Sequence, residues 1–163
     1  MRFLFALMIS LSVGGSALAS EDEVGMVSTK RLTLPTAIRI ARAAIAECTE
    51  RGIQIGVTVV DREGVVQVTL RDTIAAPITA PISERKAFTA ANFNAATSAL
   101  EDRANSAIGR AEGLLMAAGG LPIEVGGSLL GAVGVSGAPS GITDEECAQA
   151  GVDAVLDELE MAM

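Results

Sequence analysis

Lys86, Thr89 and Phe93 stand at i, i+3 and i+7 in a stretch that reads as a helix, so they share one of its faces. An ammonium, a hydroxyl and one of only four aromatic rings in the chain together suit an anionic, partly flat ligand. The same spacing also serves packing, with Phe93 in a core, Thr89 bonded to its own helix and Lys86 solvated. Arg71 precedes Asp72 and offers a planar fork to a ligand carboxylate. Its alternative use is a surface ion pair with Asp72 or Glu84.

The chain contains no histidine. A Ser-His-Asp triad, a Cys-His dyad and an HExxH zinc site therefore cannot be written within it. Any general acid or base must be Asp, Glu, Lys or Cys. A soft metal finds only Cys and Met besides carboxylates. The clusters Asp144-Glu145-Glu146 and Asp157-Glu158-Leu159-Glu160 could hold a hard cation weakly, but a solvated helix surface is their ordinary use. No metal site is expected. Gly131-Ala132-Val133-Gly134-Val135-Ser136-Gly137 lacks the G-x-G-x-x-G spacing of a dinucleotide fingerprint. Its small residues let a helix, another subunit or a ligand approach the backbone.

The elements that carry these residues follow a leader. Met1-Arg2 supplies one charge, an apolar run from Phe3 follows, and Ala17-Leu18-Ala19 has the A-x-A form of a cleavage site. Residues 1–19 thus read as a secretory signal peptide cut after Ala19, and the protein as periplasmic or secreted. Residues 20–31 read as a flexible lead-in and 32–163 as one domain. Half the chain is hydrophobic and its formal charge is −8, which excludes disorder and disfavours nucleic acid as a partner. The uncharged run from Val125 to Thr143 holds too many glycines for a membrane helix, so no span is expected in the mature chain.

Thr33 and Pro35 open a first helix whose stripe is Leu34, Ala37, Ile38, Ala41, Ile45 and Cys48. Ile53 to Val60, the turn Asp61-Arg62-Glu63-Gly64, and Val65 to Leu70 read as a β-hairpin. A second helix spans about Ile82 to Phe93. Leu114–Ala117, Pro122–Val125 and Ser128–Val135 read as strands, the second an edge and the third central. Asp144-Glu145-Glu146 opens a last helix with the stripe Ala148, Val152, Val155, Leu156 and Leu159. Hairpins flanked by helices make the class α+β.

Five strings now stand in order: Val59-Val60-Asp61-Arg62-Glu63-Gly64, Lys86-Ala87-Phe88-Thr89-Ala90-Ala91-Asn92-Phe93, Gly119-Gly120-Leu121-Pro122-Ile123, the glycine-rich string from Gly131 to Gly137, and Asp144-Glu145-Glu146-Cys147-Ala148-Gln149-Ala150-Gly151. Their order and spacing resemble the GlcG/HbpS-like haem-binding family, also described as haem-degrading domains, over about residues 32–157. The resemblance implies a profilin-like, five-stranded antiparallel sheet with the first and last helices on one face and the middle helix on the other. It implies oligomers from dimers to octamers, and a haem-contact region bordered by the helix that carries Lys86, Thr89 and Phe93. In that layout the end of the first helix lies beside the start of the last, so Cys48 and Cys147 become neighbours. In an oxidising compartment a disulfide is then expected, two buried free thiols being the alternative.

The common haem ligands are His, Cys, Met and Tyr. The chain has neither His nor Tyr, and of its six Met only Met116 is remote from both ends. Haem, if it is the cofactor, is therefore expected to bind weakly, through apolar contacts and propionate pairing. The expected function is an exported protein that binds haem or a similar anionic molecule, in sensing or sequestration. A haem-degrading or small-metabolite enzyme, with Lys86 or a carboxylate as proton carrier, is an alternative that the missing imidazole argues against. A structural or partner module for a sensor system is the other.

Overall fold

The computed structural model describes Gly25 and residues 27–163. The expected signal peptide and its cleavage site lie outside these residues. Arg31, in the expected lead-in, is anchored by ion pairs to Asp61 at 2.9 Å and Glu63 at 2.8 Å. Leu32, at the expected start of the domain, is buried in the main core.

Helix α1 (Leu34–Glu50) starts where Thr33 accepts a hydrogen bond from the Thr36 N–H, with Pro35 in the first turn. Strands β1 (Gly56–Asp61) and β2 (Val66–Arg71) form the antiparallel hairpin. Its turn is fixed by Asp61, whose Oδ1 accepts from the N–H groups of Glu63 and Val65 at 3.0 and 2.9 Å. Helix α2 (Thr79–Phe93) begins three residues before the expected Ile82 and ends at Asn94, which adopts the left-handed conformation with φ 44°. Strands β3 (Gly120–Val125) and β4 (Ser128–Ser136) make the second hairpin. Helix α3 (Gly141–Met161) is capped by Ser140, which accepts from the Thr143 N–H.

The described residues form four strands in the order β2-β1-β4-β3, all neighbours antiparallel. The fifth expected strand, Leu114–Ala117, is not one. Its backbone spends polar groups elsewhere: the Leu114 carbonyl accepts from Arg85, the Leu115 N–H donates to Thr89 Oγ1, and just past the segment the Ala118 N–H donates to Glu101. Backbone groups bonded to side chains in this way are not available to a ladder. Leu114 and Met116 turn inward beside Leu100, making a small cluster beneath the connection from α2 to β3. Pro122 sits in β3, an edge strand, where its missing N–H costs no ladder bond to a second neighbour.

The sheet separates two layers. Val57 and Val59 of β1, with Val133 and Val135 of β4, face α1 and α3 in the main core. Val60 and Ala132 face the alanines of α2. On that side, helix and sheet approach closely at Gly134, where a β-carbon would lie 2.1 Å from the Ser83 carbonyl oxygen. The small residues of β4 thus admit a helix. The buried stripe of α1 is Ala37, Ile40, Ala41, Ala44 and Cys48, rotated from the expected one so that Leu34 is exposed. The cause is α3, which packs along α1 and takes the backbone of Ile40 against Gly151.

Cys48 and Cys147 are joined by a disulfide, with Cα atoms 5.7 Å apart and both residues buried. It ties the end of α1 to the first turns of α3. Closing a loop over a sequence separation of 99 stabilises by about 4–5 kcal/mol on the chain-entropy account.

Candidate functional site

Helix α2 carries the residues with ligand-like chemistry, and its two faces do different work. Lys86 points into the protein and is 5% exposed. Its Nζ donates to Asp144 Oδ2 at 2.8 Å and to the Val135 carbonyl at 2.9 Å. Asp144 is 3% exposed and also accepts from the Ala138 N–H at 2.9 Å. Desolvation pushes the Asp144 carboxyl above its ordinary range, opposed by the hydrogen bonds from Lys86 and Ala138. The ammonium has room because residue 119 is glycine, whose β-carbon would lie 2.6 Å from Nζ. This ion pair joins α2 to α3 past the end of β4.

Thr89 is fully buried. Its hydroxyl donates to the Arg85 carbonyl and accepts from the Leu115 N–H, both at 2.8 Å. Phe93 is partly buried against Leu100, Leu114 and Met116, and Arg103 lies over its ring at 5.1 Å from the centroid. Arg71 is exposed. It donates to the carbonyls of Asp72 and Ala75, so it clamps the loop before α2 instead of pairing with the Asp72 or Glu84 carboxylate. The four residues therefore do not converge on one open surface. Lys86 and Thr89 are committed inside the fold, and Phe93 and Arg71 secure the two ends of α2.

The open face of α2 lies one residue away from the Lys86–Thr89 pair. Glu84, Arg85 and Phe88 line a cavity of about 220 Å3 together with Gly64 from the β1–β2 turn and Gly113 from the connection to β3. Arg85 and Phe88 repeat the i, i+3 spacing, which is the signal by which they could have been found. They were missed because the most ligand-like side-chain types fall on the neighbouring stripe.

The first acidic cluster is solvated only at Glu146; Asp144 is buried and Glu145 half-buried. Asp144 holds Lys86, Glu145 accepts from the Gly119 N–H at 3.1 Å and from the Ser98 hydroxyl at 2.8 Å, and Glu146 pairs with Arg51. These contacts tie the start of α3 to its neighbours, and the one from Glu145 satisfies the backbone of the Gly119 bend. Among the described residues, no group of three or more carboxylate or cysteine side chains is placed to hold a metal ion. The donors left for haem iron are few. Both thiols are in the disulfide, and Met116 is 4% exposed inside its cluster, in the connecting loop instead of the expected strand. No described helix is long and apolar enough to cross a membrane.

Comparison with solved structures places this architecture among known proteins. The crystal structure of HbpS superposes with a TM-score of 0.77 at 41% identity, covering 80% of this chain and 94% of that one. A double-mutant form of Streptomyces reticuli HbpS gives 0.77 at 37% identity, covering 92% of this chain and 98% of that one. The PduOC:heme complex gives 0.70 at 26% identity, covering 76% and 94%. No curated protein sequence matches the chain significantly. Residues 32–153 match the family model described as haem degrading protein HbpS-like, and the chain belongs to that HbpS-like family.

Proposed function

We propose that this protein is exported and binds haem, or a similar anionic planar molecule, weakly, in sensing or sequestration. The observation that carries the reading is family membership across residues 32–153, in a fold whose relative PduOC was crystallised as a heme complex. Weakness follows from the donor set: the chain has no imidazole or phenol, its thiols are paired, Met116 is enclosed, and the exposed thioethers among the described residues, Met161 and Met163, stand at the chain's end. The residues fit a porphyrin held by apolar contact and by cations on its propionates, with no strong protein ligand to the iron. Lys86 and Thr89 shape the α2 surface from within, and Arg71 and Phe93 hold its ends. The disulfide supports an oxidising compartment, in keeping with a leader over 1–19, a lead-in over 20–31 and a domain over 32–163. The mature protein assembles as a homo-oligomer, and its own partners are small molecules.

Haemin titration of the mature protein, followed at the Soret band, tests this. Saturable binding of modest affinity with a high-spin spectrum is expected. Unsaturable binding refutes the reading, and tight six-coordinate low-spin binding by the isolated monomer refutes the weak mode. Haem degradation is a second reading, favoured by the family's description. It requires verdohaem or biliverdin and released iron when reductant and oxygen are supplied. Binding is the better supported of the two, because Lys86, one of the proton carriers that degradation could use besides a carboxylate, is sealed against Asp144.

A further inference from the structure

The groove on the open face of α2 holds a guanidinium whose charge no described carboxylate pairs. Arg85 donates one N–H to the Leu114 carbonyl at 2.6 Å, which aims its guanidinium, yet it forms no ion pair among the described residues. Its remaining N–H groups are free to meet an anion. Three residues on, Phe88 lies with its two ring edges against glycines. A β-carbon on Gly64 would stand 2.7 Å from Phe88 Cδ2, and one on Gly113 would stand 3.4 Å from Cε1. Both glycines have positive φ, 85° and 84°, so the backbone itself forms the groove walls and an ordinary side chain at either position is strained. Guanidinium, aromatic ring and backbone walls enclose about 220 Å3. That is below the roughly 300–1,000 Å3 of a site enclosing a whole drug-sized ligand. It suits a single ring, or one edge of a larger planar molecule. Glu84 at the rim opposes a second negative charge beside the first, which favours a carboxylate over a phosphate dianion.

The geometry points to this groove as the recognition site for the carboxylate-bearing edge of a planar ligand. Arg85 pairs with the carboxylate through its fork, and Phe88 carries the adjoining ring. The assignment rests on the ligand-binding reading above and locates it on residues that reading leaves open.

Fluorescence titration with metal-free protoporphyrin IX tests it, since no iron–ligand bond then contributes. The oxidised mature protein is compared with Arg85→Gln, Arg85→Lys and Phe88→Leu, and with Ile142→Ser in the separate groove beside Leu121. Thermal melting checks that each variant folds. Arg85→Gln and Phe88→Leu are expected to raise Kd about tenfold, Arg85→Lys about threefold, and Ile142→Ser not at all. If Arg85→Gln does not fold, Arg85→Lys and Phe88→Leu decide. Saturable wild-type binding that these groove variants leave unchanged overturns the site but not the function. Unsaturable wild-type binding, with haemin equally unbound, overturns both.

Discussion

Replacing Lys86 by methionine removes an ammonium from a place where water cannot substitute for it. The Asp144 carboxylate, 2.8 Å away and 3% exposed, then keeps only the Ala138 N–H as partner. Removing one member of a buried pair costs about 3–5 kcal/mol, most of it the desolvation of the charge left behind. For a domain of this size that is a fall in Tm of roughly 10 °C or more. The loss depends on pH. Burial already raises the Asp144 carboxyl above its ordinary value, and the hydrogen bond from Lys86 is the largest influence holding it down. With Lys86 gone the folded protein binds that proton more tightly than the unfolded chain does. A raised carboxyl favours folding while protonated, and the advantage disappears as pH rises through its folded-state value. The deficit of Lys86→Met against wild type is therefore smaller at pH 5 than at pH 7. Adding Asp144→Asn keeps an acceptor for Ala138 and removes the stranded charge, so the double variant recovers half or more of the loss. Urea unfolding of wild type, both single variants and the double at the two pH values supplies every number needed. A loss under about 1 kcal/mol at pH 7, or a double variant no better than Lys86→Met alone, refutes the account.

Four other outcomes are expected. Reducing the Cys48–Cys147 bond, or replacing both residues by alanine, lowers stability by up to about 4–5 kcal/mol, read as a drop in urea midpoint. Because both cysteines are buried, native protein resists mild reductant that readily opens the bond in urea, which a thiol-labelling time course checks. Gly134→Ala forces a methyl group against the Ser83 carbonyl and costs about 1–3 kcal/mol by thermal unfolding. Intact mass of protein recovered after export gives a chain beginning at Ser20; an uncut chain would refute the leader.

Much of the fold is legible locally. Thr33 with Pro35, the Asp61–Gly64 turn and the Gly126-Gly127 hairpin are punctuation whose chemistry is complete within a few residues, and each stands where its residue types place it. The last helix begins a turn before its acidic residues, at Ser140, because a serine side chain can cap its own following N–H groups. The pairing of Cys48 with Cys147 follows from the family layout, which puts those helix ends together.

The candidate site was harder to read, and α2 shows why. Its buried residues are Thr79, Ser83, Lys86, Ala87, Thr89, Ala90 and Ala91, all small or polar, so hydrophobic periodicity does not distinguish the inner face from the outer. Lys86 and Thr89 carry ligand-like chemistry but spend it on Asp144, Val135, Arg85 and Leu115, partners up to 58 positions away. The apolar run at Leu114 misleads for the same reason, its backbone being claimed by side chains from other elements. Sequence alone determined the missing imidazole, the local caps and turns, and the family, because each depends on residue type and short spacing. Only the tertiary structure decided which stripe of α2 meets solvent, because burial there is set by distant polar partners and by the close approach of Gly134, neither of which leaves a periodic trace.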